Sequence, residues 1–356
     1  MTDSNIARRR LANQLLARPE SGLPGEVVRW FGAVQAQDYA GSLWAIGVRV
    51  LGATGAGVER AIAERRIVRT WPMRGTIHLV PAEDARWMLD LMTPRIIAGS
   101  VKRHRDLDLD EKAFESAREE IQEILEGGKV VTRPDLMRHL DSRGISTSGQ
   151  RGYHILSHLA QTGFLCLGPR EGKQPTVVLL DEWVPESRSL TREESLAEIA
   201  TRYFRSHGPA TLHDFVWWTG LTVADCRAAM DGISSQLEEW RDGDRTLWHM
   251  PTGDEPEGEP ERVMLLPFVD EYMVGYRDRS DFLKPEHTER TFHGLMSVVI
   301  SDGEIVGMWK RKLASKKVAV ELDLFRDLDG DERQSLNNVL RRYGEFLGKD
   351  AELSRA

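Results

Sequence analysis

A chain of 356 residues, 40% hydrophobic and 29% charged, has room for about two to four folded domains and is neither disordered, fibrous nor membrane-embedded in composition. Its longest uncharged apolar stretches, such as LWAIGV and VVLL, fall far short of the roughly 20 residues that span a bilayer, and MTDSNIARRR lacks the apolar core of a signal peptide, so a cytoplasmic protein is expected. The formal net charge of −8 argues against a uniformly basic nucleic-acid binder, yet it hides local asymmetry: residues 252–261 are acidic, while KRKLASKK (310–317), Arg8 to Arg10 and VKRHR (101–105) are basic.

In chain order, ARRRLANQLLAR reads as a basic amphipathic helix, and Pro24 opens a second, GEVVRWFGAVQAQ, expected to end near Gln35. VERAIAERR gives a further helix and TWPMRGTIHLVP a strand pair. FESAREEIQEILEGG places Phe114, Ala117, Ile121, Ile124 and Leu125 at helical spacing and closes on Gly127 and Gly128. Thr132 and Pro134 then start DLMRHLDSRG, RGYHILSHLAQTG follows, and FLCLG and TVVLL form a hairpin. Three helices and a hairpin in that order are the signature of a winged helix-turn-helix. The pattern recurs over residues 194–249, and the first 90 residues fit it more loosely as a third copy.

PTGDEPEGEPER has almost nothing to bury and should be a solvated linker. Beyond it, Asp302-Gly303 is a tight-turn signal between VVIS and EIVGMW, and VAVEL returns to strand, giving a small antiparallel sheet whose second hairpin carries a basic tip. YGEFLG closes the chain as part of a helix.

The chemistry-bearing candidates are few. Cys166 and Cys226 form no CxxC pair and read as small core residues. His154 and His158 have the i, i+4 spacing that lets two imidazoles meet one metal, but HEXXH and a third ligand are missing, so no metal is expected. No phosphate loop, dinucleotide fingerprint or nucleophile elbow occurs, and no cofactor is expected. A winged helix most often enters a DNA major groove, though it also serves as a protein scaffold. The cations of the 310–317 hairpin either track phosphates or form a solvated edge. Gln35 and Gln37, if aimed from a turn with Ala36 facing the core, could orient a water molecule, each amide offering an acceptor and two donors; otherwise they are surface glutamines. An amide is hardly basic, so such a pair suits only a reaction whose leaving group is already activated.

VQAQDYAGSLWAIGVR, TWPMRGTIHLVPAED, LLPFVDEYMVGYRDR and DGEIVGMWKRK, in this order, resemble the bacterial winged-helix DNA glycosylases that excise alkylated and crosslinked bases. The sequence is most similar to their AlkZ-like, azinomycin-resistance branch, beside which stand related crosslink-repair glycosylases, and the likeness covers nearly the whole chain. The resemblance implies a C-shaped α+β protein: winged helices over residues 1–100, 101–188 and 189–250, an acidic linker over 251–262 and a β-rich domain over 263–356. It places the family's Gln-apolar-Gln catalytic motif on Gln35, Ala36 and Gln37. Glutamine at its second position, where the crosslink-repair branch often has aspartate, puts the sequence nearer the self-resistance branch. The implied reaction is hydrolysis of the N-glycosidic bond of N7-alkylguanine, including bulky adducts and interstrand crosslinks, leaving an abasic site without strand cleavage. The implied DNA contacts lie on the hairpin at Trp309, Lys310, Arg311, Lys312, Lys316 and Lys317. The expected partner is double-stranded DNA bound by a monomer, with no membrane and with nucleoid association when bound. A winged-helix transcription regulator without catalysis, and a drug-sequestering cleft around Trp217 and Trp218, are the competing readings.

Overall fold

The computed structural model describes residues 3–17, 19–251 and 261–354. The expected acidic linker therefore lies mostly outside the described residues. Among these no helix is long and apolar enough to cross a membrane. The chain divides into two compact units, one of Met1–Val58 with Leu196–Ala356 and one of Glu59–Ser195.

In the second unit the strands and helices fall where the sequence pattern expects them, apart from one further helix. Ile67–Met73 and Thr76–Pro81 pair antiparallel across a turn in which Arg74 and Gly75 both take positive φ. Asp110 caps Glu111–Leu125 by accepting from Ala113 N, and Thr132 caps Arg133–Ser142 by accepting from Asp135 N. Arg151–Gln161 and the strands Leu165–Leu167 and Thr176–Leu179 complete the helix, helix, helix, hairpin order. Phe114, Ala117, Ile121 and Leu125 meet Leu136, Leu140, Ile155, Leu159, Leu165 and Val177 in one core. Each large apolar side chain buried there contributes about 1.5–3 kcal/mol. Arg69 pairs with Leu167, so the hairpin of 165–179 continues the sheet of 67–81. The helix Ala85–Asp106 contains Pro94 and the basic VKRHR segment, and the sequence reading did not separate it as a helix.

In the first unit, Pro24–Phe31 stops earlier than expected. Gly32 takes φ of 82°, which a β-carbon opposes, and the chain turns out of the helix into the short strand Val34–Gln35. Arg192–His207, Leu212–Thr219 and Val223–Gly232 repeat the three-helix order, the last two capped by Thr211 and Thr222, and Glu238–Asp242 pairs with Arg245–His249.

Five strands then form one sheet in sequence order: Val263–Leu266, Val298–Ser301, Glu304–Leu313, Lys317–Leu324 and Asp350–Leu353. The first four are antiparallel, turned by Asp302 and Gly303 at φ of 49° and 93° as the sequence predicts. The last is parallel to its neighbour and follows the helix Gly330–Leu347, which Asp329 and Glu332 open with a capping box. Trp44 packs on Tyr343 and Phe346, with ring centroids 4.7 and 5.1 Å apart, and its indole N–H donates to Leu265 O at 2.7 Å. This fixes the helix Tyr39–Gly47, which follows the glutamine motif, against the strand that leads to Asp270 and Glu271.

Candidate active site around Gln35 and Gln37

The motif is held by its neighbours before it acts on anything. Ala33, Val34 and Ala36 are buried, Gln35 is nearly so at 7% exposure, and Gln37 reaches solvent. The extended backbone at Gln35 points alternate side chains to opposite sides, which sends Ala36 into the core, as expected, and leaves the two glutamines side by side. Gln37 N–H donates to Gln35 Oε1 at 2.8 Å, and Gln35 Nε2 donates to Gln37 Oε1 at 2.6 Å. Since a backbone N–H can only donate, the Gln35 atom it meets must be the oxygen, and both carboxamides are oriented without ambiguity. Each carboxamide oxygen retains a second lone pair, and Gln37 retains the two hydrogens of its amide nitrogen.

Beneath the pair lies a carboxylate. Gln35 N–H donates to Glu271 Oε1 at 2.7 Å, and Trp218 Nε1–H donates to Glu271 Oε2 at 2.9 Å, with His207 Nε2 at 3.4 Å from the same oxygen. Glu271, His207 and Trp218 are all buried. Asp270, one residue earlier, binds Arg49 through both oxygens at 2.7 and 2.8 Å, and Arg49 Nε donates to Gln14 O at 2.9 Å. Asp270 also accepts from Tyr272 N, starting the short helix Glu271–Val274 that presents Glu271. Sequence reasoning quoted LLPFVDEYMVGYRDR but gave neither carboxylate a role. The signal was there: two adjacent acids directly after the apolar run LLPFV are unlike a solvated loop.

The expected DNA-binding residues share one hairpin but not one environment. Trp309 is buried, its ring against Tyr343 and its N–H on Leu266 O at 2.7 Å, so the expected DNA contact by Trp309 is corrected to a packing role. Arg311 donates to Tyr343 OH at 2.5 Å. Lys312 pairs with Glu321 at 2.5 Å and Lys317 with Glu352 at 2.9 Å, while Lys310 and Lys316 are exposed. Lys349 Nζ donates to Ala314 O and Ser315 O at 2.8 and 2.5 Å, fixing the tip of the turn.

His154 and His158 meet His104, with ring centroids 5.4 and 5.5 Å from it, and His158 stacks on Phe114 at 3.9 Å. Burial, then the charge of His104, brings the His158 pKa down to about 4, the environment of a packed ring. Cys166 and Cys226 are both buried. Trp218 is buried on Glu271, and Trp217 donates to Val274 O with its ring half exposed, so the tandem tryptophans do not together line a cleft.

An extended, buried motif with two interlocked carboxamides over a buried carboxylate is the geometry to set beside known proteins. A sequence model of the family described as "DNA glycosylase AlkZ-like" matches residues 28–346, and the chain belongs to that family. It is accordingly a DNA glycosylase, a hydrolase acting on N-glycosyl bonds, and the regulator reading is set aside. Among curated proteins it is similar to an interstrand DNA cross-link repair glycosylase of Streptomyces sahachiroi, 26% identical over 323 residues, 85% of each chain. Among solved structures it shares the fold of the Streptomyces sahachiroi DNA glycosylase AlkZ, with a TM-score of 0.79 at 22% identity over 99% of this chain and 100% of that one.

Proposed function

We propose that this glycosylase hydrolyses the N-glycosidic bond of N7-alkylated deoxyguanosine in duplex DNA, bulky adducts and interstrand crosslinks included, with Gln35 and Gln37 as the catalytic pair. The observation that carries the reading is the interlocked amide geometry. The oriented oxygens of Gln35 and Gln37, each with a spare lone pair, can accept both hydrogens of one water, leaving that water's lone pair for C1′. Neither amide can give or take a proton to any extent, so the base must leave without being protonated by the pair, and the proton of the attacking water passes to solvent once the C1′–O bond has formed. Alkylation at N7 makes guanine cationic, and a cationic base departs readily, so positioning and charge stabilisation suffice. The same carboxamide dipoles, negative at oxygen, favour the positive charge that develops on the sugar. Carboxamides form no Schiff base, so the product is an abasic site in an unbroken strand.

The relative from Streptomyces sahachiroi bears the name of a cross-link repair enzyme. An attack directed by a motif beside solvent, as Gln37 is, does not require a bulky base to be flipped into a closed pocket. The exposed cations of the 304–324 hairpin supply phosphate contacts, and the helix and hairpin order at 111–179, repeated at 192–249, supports reading tandem winged helices before the sheet.

The test is incubation with duplexes bearing N7-methylguanine and, separately, a nitrogen-mustard crosslink, followed by detection of abasic sites. Gln35→Ala and Gln37→Ala should bind DNA as the parent does and excise about a hundredfold or more slowly. Full excision by both variants, or no release from either substrate by the parent, would overturn the proposal.

A further inference from the structure

Glu271 does not reach solvent, and an ionised carboxylate in that position is costly unless hydrogen bonds and charges compensate it. Here the compensation comes partly from the catalytic motif itself: one oxygen accepts from Gln35 N–H, the other from the Trp218 indole N–H. Both donors are neutral groups fixed by the fold, and each takes one oxygen of the acid. His207 is itself tied down. Ser206 Oγ donates to Arg202 O at 2.7 Å and so accepts from His207 Nδ1 at 2.8 Å, while Tyr203 stacks on the ring at 4.8 Å. A methyl group at Gly275 would run into that ring, so the glycine is what lets His207 close on Glu271.

We propose that Glu271 is a positioning residue for excision, setting the backbone of Gln35 and thereby the direction of the Gln35–Gln37 carboxamide pair. The proposal rests on the assignment of those glutamines as the water-positioning pair. Its physical content is specific. The strand carrying Gln35 has only two residues, and the buried side chains of Ala33, Val34 and Ala36 beside it pack without offering a hydrogen bond. The Gln35 N–H is therefore held from below by a group 236 positions away in sequence, which the Trp218 donor aligns. Because Gln35 Oε1 orients Gln37 N–H and Gln35 Nε2 orients Gln37 Oε1, a small displacement of the Gln35 backbone misaligns both oxygens at once. Misplacement of a reacting group by about 1 Å costs on the order of a hundredfold in rate.

The experiment is single-turnover excision of N7-methylguanine from a duplex by the full chain, with the DNA Kd and the melting temperature measured alongside. Glu271→Gln keeps the size of the side chain but has one acceptor for two donors, so the Gln35 N–H and the Trp218 N–H compete for it. It should slow excision about a hundredfold at unchanged DNA Kd. In a Gln35→Ala background the same substitution should bring no further loss, because a residue that acts through Gln35 has nothing left to position. Losses that multiply, or a parental rate for Glu271→Gln while Gln35→Ala is slowed, would overturn the proposal. If Glu271→Gln melts below the assay temperature, Trp218→Phe, which removes one donor and keeps a ring, carries the same comparison. Full excision by Gln35→Ala alone would instead overturn the underlying assignment of the pair.

Discussion

Arg49 and Asp270, 221 residues apart, form a two-pronged ion pair from which water is excluded, their side chains 1% and 0% exposed. The pair joins the end of the helix Tyr39–Gly47, which follows the glutamine motif, to the residue preceding Glu271. It is the hinge pin between the two sequence segments that build the site.

Removing one partner of such a pair leaves an uncompensated buried charge, which costs about 3–5 kcal/mol. Arg49→Met should therefore lower the free energy of unfolding by that order, and Arg49→Lys by less, because a lysine cannot keep the bidentate geometry. Denaturant titration measures both. A loss below about 1 kcal/mol for Arg49→Met would mean that the pair is not the structural link described.

The histidine cluster gives a pH dependence with a definite sign. Burial, followed by the charge of His104, lowers the His158 pKa from an ordinary 6.5 to about 4. His104 and His154 are also lowered, by burial first and then by the charges of His154 and Arg103 respectively. A group whose folded pKa is depressed contributes stability that is complete above its unfolded pKa and lost as pH falls through the folded one. The window is thus pH 6.5 down to about 4. The loss amounts to roughly 2 kcal/mol once the solvent that His158 still meets is discounted. His158→Phe keeps a ring on Phe114 and should flatten the fall in stability between those pH values. An unchanged pH profile in thermal melts would reject the assignment.

Much of the architecture was legible because its signals are local. Thr132 as a cap, Gly127 and Gly128 as a stop, and the apolar spacing of Phe114 to Leu125 each act within one or two turns of chain, and the Asp302-Gly303 turn within two residues. The end of the second helix was missed because an apolar run continues through Ala33 and Val34, while the break comes from the φ of a single glycine, Gly32. The strand Asp350–Leu353 carries no strand pattern of its own and forms because Lys317 to Val320 offer it a free edge. Gln35 and Gln37 were singled out through the family resemblance, but what holds them in place was not legible. Glu271 and Arg49 act across more than two hundred residues, and no periodicity reports such a contact.

The hairpin should reveal which of its cations meet DNA through salt dependence. Each phosphate contact contributes about 0.9 to the slope of log K against log salt concentration. All four lysines are exposed, but Lys312 and Lys317 already face Glu321 and Glu352. Replacing Lys310 and Lys316 together by alanine should lower the slope by nearly 2, and replacing Lys312 and Lys317 by less. Equal effects from the two double variants in salt-titrated binding would show that the intramolecular pairs do not matter to DNA contact.

The oxygen and the nitrogen of the Gln37 carboxamide have separable roles. Gln35 Nε2 donates to Gln37 Oε1, so what the network requires at position 37 is an acceptor. Gln37→Glu supplies that acceptor and adds negative charge near a sugar that becomes positive, and should keep excision of N7-methylguanine within about tenfold of the parent. Gln37→Leu fills similar space with no acceptor, releases Gln35 Nε2 from its partner, and should lose a hundredfold or more, on the order of a removed transition-state donor or acceptor. Single-turnover rates at saturating enzyme compare the two directly. Equal loss in both variants would assign the function of Gln37 to its amide N–H groups, and the water would then have to be held by Gln35 alone.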